Sequence, residues 1–321
     1  MNSGGFGTVG YARRLARLGE YSDAVARAMP SEVARFWSVS NVDALALGLF
    51  LDLYGREAIV LNIGTFVGVS AMCFAVQPSV ARVISVDPNP RIADEVSDKT
   101  DVTNFEANYK KLGEARVFDV ARAALSDFPE ESRKIHLTEG VVGTSQVGVH
   151  GAVAEGARKV EVPGVDPSSD ELSLVAFVDG LHTDDGVRAD LEAVFEASPR
   201  AVAILHDCRG EWSAAVRKGA GDFISASGDD GYAFEMVGPM GAGLGSPNMG
   251  VVFAESDADE VRGVLGRMGD SAGVARHVIP TELRDPAHLL RMSANPKFIK
   301  KAAGFGASVA SGVFERWSKP V

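Results

Sequence analysis

Residues 174–208, LVAFVDGLHTDDGVRADLEAVFEASPRAVAILHDC, restrict the fold more than any other stretch of this chain. Two short apolar runs, Leu174–Val178 and Ala201–Leu205, flank a segment in which Val187, Leu191, Val194 and Phe195 keep helical spacing. Apolar runs of this length are how parallel strands buried on both faces read in sequence. In an open α/β sheet, ligands bind beyond the carboxyl ends of the strands. Each run here ends in polar side chains: Asp179 and His182 after the first, His206 and Asp207 after the second. Two carboxylates and two of the six histidines are therefore expected at one edge of one sheet. Thr183 suits the N-cap of the intervening helix, and Asp184 and Asp185 complement its positive end.

The same alternation extends in both directions. Strands are expected at AIVLNI (58–63), RVISV (82–86) and RVFDVA (116–121), with helices through Val69–Val76 and from about Arg91. KIHLTE (134–139) and KVEVPGV (159–165) alternate strictly around a glycine-rich stretch and predict an inserted hairpin or ribbon. A helix over 211–224 is followed by strands at 232–237 and 249–254, joined by the glycine-rich loop 238–248. The expected fold is a doubly wound α/β sheet, mostly parallel with one antiparallel edge strand, carrying helical extensions at both ends. The chain divides on this reading into a helical cap (1–56), the sheet domain (57–255) and a C-terminal helical extension (256–321). In that extension Phe305, Val309, Val313 and Trp317 form an i, i+4 apolar stripe on a basic tail. The stripe is expected to dock on the main domain or on a second subunit, which makes the terminal helices the route to a homo-oligomer; the alternative, an interfacial membrane helix, is weakened by Gly304, Gly306 and Gly312.

Composition excludes several classes. A formal net charge of −11 disfavours nucleic acid as a partner, because phosphate binding draws on clustered Lys and Arg. Two cysteines, Cys73 and Cys208, give no disulfide framework and suit a reducing compartment. The start, MNSGGFGTVGYARR, lacks the apolar core of a secretory signal. The apolar run Ala44–Leu51 is too short to span a bilayer. A cytoplasmic protein with no membrane partner is expected.

The turn after the first strand, Asn62-Ile63-Gly64-Thr65-Phe66-Val67-Gly68, stands where a nucleotide-type ligand binds such a sheet. Gly64 permits a tight turn and a close ligand approach, and Gly68 lets the next helix pack against the strand. Asp87, at the end of the second strand, can accept hydrogen bonds from both hydroxyls of a ribose. The competing explanation for Asp87 is a turn or N-cap aspartate, in keeping with Pro88. A literal G-x-G-x-x-G at residues 5–10 has no strand before it and is a chance match.

IVLNIGTFVGVSAMCFA, VISVDPNP, AFVDGLHTDDGVRADLEAVF and AILHDC together resemble class I S-adenosylmethionine-dependent methyltransferases. The similarity is greatest to small-molecule O-methyltransferases with a DG-x-H … HD pair. ARAALSDFPEE followed by KVEVPGVD resembles the FkbM-type enzymes. The resemblance covers roughly residues 57–255 and implies a Rossmann-like methyltransferase fold. It implies cofactor contacts at Asn62, Gly64, Thr65, Phe66, Gly68, Ser70, Asp87, Ala124, Leu125 and Asp179. Ala124 and Leu125 would sit near the adenine, and Asp179 near both cofactor and acceptor. Asn62 departs from the acidic residue usual at its position, keeping an acceptor while losing the charge.

Methyl transfer from a sulfonium to a hydroxyl needs in-line positioning and removal of one proton. His182, three residues past Asp179, is the candidate general base; the alternative is a structural histidine. Asp179, His206 and Asp207 match positions where related enzymes place metal ligands. They would hold Mg²⁺ or a softer transition metal, or no metal at all. Cys208 reads as an ordinary buried residue, and Trp212 as core or as a wall of the acceptor pocket. The acceptor is expected to be a sugar hydroxyl or a specialised metabolite. Two other classes stay open: an NAD-dependent oxidoreductase on a similar sheet, and a non-catalytic assembly partner that keeps the fold.

Overall fold

Phe177 and Val178 are neighbours in sequence and face opposite sides of the sheet, and every central strand shares that division. Val60, Val175, Phe177, Val202 and Ile204 belong to one apolar cluster, while Leu61, Ile63, Leu174, Ala176, Val178, Ala203 and Leu205 belong to another. Burial on both faces explains why these strands are apolar at nearly every position. The computed structural model describes residues 8–28, 39–92, 114–143, 159–164, 172–210, 212–228, 231–239 and 246–278.

The strands are β1 (Ala58–Ile63), β2 (Val80–Asp87), β3 (Ile135–Glu139), β4 (Ser173–Val178), β5 (Val202–Leu205), β6 (Tyr232–Met236) and β7 (Gly250–Ala254). They form one seven-stranded sheet in the order β3-β2-β1-β4-β5-β7-β6. All pairs from β3 to β5 are parallel. The antiparallel strand expected at the far edge is β7, which pairs with β5 on one side and with the outermost β6 on the other. The order reverses at β1 and β4, so the crevice of a doubly wound sheet opens beyond Ile63 and Val178.

Helices α1 (Thr8–Ala28), α2 (Asn41–Tyr54), α3 (Val69–Ala75) and α4 (Val117–Leu125) cover the first face together with α8 (Ala258–Val278). A short α5 (Pro129–Ser132) leads into β3. The second face is covered by α6 (Asp184–Ala197) and α7 (Ser213–Ala226), through Val187, Leu191, Val194, Phe195, Val216, Ala220 and Phe223. The Thr183 hydroxyl caps α6 by accepting from Gly186 N at 3.0 Å, as its sequence predicts.

Helix α2 is apolar almost all round because it is enclosed rather than laid on a surface. Leu45, Leu47, Leu49, Phe50 and Leu51 are all buried in a helix that packs against α3 and α8. Each contributes about 1.5–3 kcal/mol on removal from water. Ser40 caps the helix, and Gly55, at φ 72°, ends it in the left-handed conformation. Helices α1 and α2, the sheet and the start of α8 thus share one apolar cluster. Among the described residues, no helix is long and apolar enough to cross a membrane.

Two expectations are corrected. Residues 116–121 belong to a helix, not to a third strand. Val117, Val120, Ala121, Ala124 and Leu125 recur at helical spacing and are buried, and the N3 residue Asp119 accepts from Arg116 N at 2.9 Å. The third strand is KIHLTE, which pairs in parallel with β2 inside the main sheet and forms no hairpin with KVEVPGV. Lys159 of the latter makes a single parallel bridge to Val141, and residues 160–164 carry no regular structure. The strictly alternating pattern of KIHLTE comes from its position at the sheet edge, where only Ile135 is buried. The helix beyond Ile92, residues 5–7 of the glycine match, the centre of loop 238–248 and the apolar stripe at 305–317 lie outside the described residues.

Candidate active site at the carboxyl edge

Backbone hydrogen bonds carry the sheet one residue past its strands at the carboxyl edge. Gly64 N donates to Val86 O at 2.9 Å, Asp179 N to Ile63 O at 2.9 Å, and His206 N to Val178 O at 3.0 Å. Gly64, Asp179 and His206 therefore stand side by side, as the ends of the three neighbouring strands β1, β4 and β5 require.

The glycine turn is built for close approach of backbone to backbone. Gly64 has φ 82°, and a Cβ there would lie 2.0 Å from the Asp179 carbonyl oxygen, so no other residue fits. Gly68, at φ 85°, faces α1: a Cβ would meet the Tyr21 hydroxyl at 2.6 Å. That hydroxyl donates to Val67 O at 2.9 Å and seats α1 on the turn. Asp87 organises the same turn from the end of β2. One carboxylate oxygen accepts from Thr65 N (3.1 Å) and Phe66 N (2.9 Å), and the other from Asn89 N (2.8 Å). Asp87 is thus a turn aspartate in this structure, with 8% of its surface exposed.

Beneath the turn, Asn62 Nδ2 donates to Ser85 Oγ at 2.7 Å, and Ser85 Oγ lies 2.8 Å from Thr65 Oγ1. Asn62 Oδ1 is buried with no partner among the described residues. Ser70 is buried in the first turn of α3. Ala124 and Leu125 do not join this group. Helix α4 begins beside the carboxyl end of β2, where Phe118 N donates to Asn89 Oδ1 at 3.0 Å, and runs away from it toward α5 and the start of β3. Its last turn, with both residues, is packed in the first apolar cluster, one turn beyond Ala121, which lies beside Gly68. The turn that leaves β3 at the carboxyl edge is Gly140–Gly143 instead. Asp190 of α6 accepts from Gly143 N at 3.1 Å there, and burial pushes its carboxyl up to about 7.

On the other side of the crevice four charged groups converge. His206 Nδ1 lies 2.9 Å from Asp179 Oδ1 and 3.5 Å from Asp207 Oδ1, and its Nε2 lies 3.4 Å from Asp43 Oδ2. Both ring nitrogens face carboxylates, which only a doubly protonated imidazolium satisfies. Burial opposes that charge, but Asp179 and the hydrogen bonds to Asp179, Asp207 and Asp43 hold the His206 pKa well above its usual value. Burial likewise disfavours the Asp179 carboxylate. The His206 charge and the hydrogen bonds from His182 and His206 outweigh it and hold Asp179 below the usual carboxylate range.

His182 comes from the turn before α6. Its Nε2 lies 3.3 Å from Asp179 Oδ1 and 3.2 Å from Asp207 Oδ2, and its ring stacks on Trp212 with centroids 5.8 Å apart. Its Nδ1 has no partner among the described residues. Cys208 is buried, its thiol pushed up to about 12 by that burial, as suits a packing residue.

The expected metal set is corrected at one member. Both ring nitrogens of His206 face carboxylates, Nδ1 toward Asp179 and Nε2 toward Asp43. The group whose ligand atoms all lie within 4.8 Å of one another is Asp179, His182 and Asp207.

Asp43 is the functional candidate that sequence reasoning missed. It lies in the first turn of α2, 3% exposed, and accepts from Asn248 N at 2.7 Å and from Ser40 Oγ at 2.5 Å. Asn248 Nδ2 in turn donates to Asp207 Oδ1 at 2.6 Å. One signal was available: Asp43 is the only charge in the apolar run Val42–Leu51. An acid at that position also reads as an ordinary complement to the helix dipole.

Comparison with known proteins gives three findings. Residues 61–208 match the sequence model of a family described as a methyltransferase domain. No curated protein matches the chain at a significant level. Solved structures with similar backbones include an O-methyltransferase described as putative from Klebsiella pneumoniae, with 13% identity over 75% of this chain and 89% of that one, at a TM-score of 0.40. Another is the O-methyltransferase TomG from Streptomyces achromogenes, described as involved in tomaymycin synthesis and in complex with SAM. It shows 12% identity over 72% of this chain and 89% of that one, at a TM-score of 0.41. A third is an O-methyltransferase from Bacillus cereus in complex with SAH, with 13% identity over 75% and 89% and a TM-score of 0.40.

Proposed function

We propose that the chain methylates a hydroxyl of a small molecule, a sugar or a specialised metabolite, with S-adenosylmethionine as donor, a reading supported by the match of residues 61–208 to a methyltransferase-domain model. One observation carries the reading: the glycine turn held by Asp87 and the carboxylate-bracketed His182 meet at the same edge of the sheet. The residues suit this donor. Three carboxylates against one imidazolium leave the edge net negative, which favours a sulfonium cation. Asn62 Oδ1 is an unsatisfied acceptor beside the turn.

S-adenosylmethionine, when bound, supplies a methyl group on positively charged sulfur. The turn from Gly64 to Gly68 would hold it, with Asp87 at the ribose and Asp179 facing both donor and acceptor. His182 takes up the acceptor's proton. Its Nε2–H is engaged by Asp179 and Asp207, which fixes the tautomer and leaves the Nδ1 lone pair for the hydroxyl. Methyl transfer would break the methyl–sulfur bond and release neutral S-adenosylhomocysteine while the acceptor oxygen gains the methyl; the hydroxyl proton would pass to His182 Nδ1, and the two carboxylates would stabilise the resulting imidazolium. Trp212 limits the ring's freedom. The N-terminal helices would enclose the acceptor.

The test is transfer of labelled methyl from S-adenosylmethionine to a panel of sugars and phenolic metabolites. Labelled product is expected, and binding without transfer to any member would favour the non-catalytic alternative. A divalent cation is the second reading, favoured by the Asp179, His182 and Asp207 group. Under the base reading the same assay keeps its rate in EDTA. A rate lost in EDTA and restored by Mg²⁺ or Mn²⁺ would replace the base with a metal at that group.

A further inference from the structure

We propose that Asp43, in the N-terminal cap, is a positioning residue for methyl transfer, joining α2 and the loop before β7 to the Asp179–His206 pair. The inference rests on the functional reading above and extends it to a segment outside the matched domain, which begins at residue 61.

Three contacts define the role. Asp43 Oδ2 faces His206 Nε2, Asp43 Oδ1 accepts from Asn248 N, and the Ser40 hydroxyl fixes the carboxylate from the helix cap. With Nε2 held, His206 directs Nδ1 at Asp179 Oδ1, the oxygen that also meets His182 Nε2. Asn248 returns the connection through its Nδ2 to Asp207, the second carboxylate on His182. Arg209 closes the base of the loop, donating to Pro247 O at 3.0 Å and Val237 O at 2.9 Å. His182 is thus oriented by two carboxylates, each of which is tied back to Asp43 by a separate route. A buried carboxylate of this kind is retained only where its partners satisfy it. The carboxylate of Asp43 sits among three donors from separate segments, so apolar packing does not account for it.

The test compares Asp43→Asn, His206→Gln and the double variant, using the compound most rapidly methylated in the panel. Asparagine keeps the shape but cannot accept from both His206 Nε2 and Asn248 N. Asp43→Asn is expected to lower kcat about 30-fold, with KM and the affinity for S-adenosylhomocysteine changed less than about threefold. Because the residues act as a unit, the double variant is expected to lose no more than His206→Gln alone. A kcat within about twofold of wild type, or losses that multiply in the double variant, would overturn the proposal. If Asp43→Asn fails to fold, Ser40→Ala takes its place, with about a threefold loss of kcat expected and an unchanged kcat overturning the role. If wild type binds S-adenosylhomocysteine yet methylates nothing, the functional reading fails by itself. Hydrogen exchange at the Asn248 amide then judges the connection separately: about tenfold faster exchange in Asp43→Ala supports it, and unchanged exchange overturns it.

Discussion

Replacing His182 by alanine lowers kcat by about 10²–10⁴-fold on this account, the range expected for loss of a general base. Affinity for S-adenosylhomocysteine changes little, because the cofactor is assigned to the opposite side of the crevice. The size of the effect follows from geometry. His182 is the titratable side chain at this edge whose second nitrogen is left over after its carboxylate contacts. His206 has both nitrogens committed. Steady-state kinetics on the variant, with calorimetry of product binding, check both parts. Wild-type turnover in His182→Ala would remove it as the base, and a large loss of cofactor affinity would move it to the binding side.

Asp87→Ala is expected to have two large effects at once. The carboxylate accepts three backbone N–H groups, from Thr65, Phe66 and Asn89, two of them from the glycine turn. Leaving buried donors unpaired costs about 1–3 kcal/mol each where water cannot reach them. A loss of several kcal/mol in stability, seen as a clear drop in Tm, is therefore expected. The ribose contacts would be lost as well, and the turn that forms the rest of the site would loosen. Affinity for S-adenosylhomocysteine should weaken on the order of 100-fold, equivalent to two charge-assisted hydrogen bonds at about 1.4 kcal/mol per factor of ten. Calorimetry decides the ribose role. Unchanged affinity would leave Asp87 with its structural role alone, whatever happens to Tm.

The parts of this fold legible in sequence are those where one period dominates. Leu174–Val178 and Ala201–Leu205 are apolar throughout because both faces are covered, and the structure places both as central strands. The polar residues after them had to meet, since neighbouring parallel strands end at the same edge. Residues 116–121 misled because six residues of RVFDVA satisfy either period, and only the longer window to Leu125 reveals the helical one. KIHLTE alternates because it lies in an edge strand, which in sequence is indistinguishable from a hairpin arm. Asp43 was out of reach for a different reason. Its partners His206 and Asn248 are separated from it by 163 and 205 positions, and no local pattern encodes a contact of that span. The exchange of His206 for His182 in the metal-capable group has the same origin, because that long-range carboxylate claims the second nitrogen of His206.

The most direct test of the central claim is a crystal structure of the chain with S-adenosylhomocysteine. The account places the product along the turn from Gly64 to Gly68, its ribose at Asp87 and its sulfur facing Asp179 and His182. A product bound elsewhere, or bound there with its sulfur turned away from His182, would contradict the account.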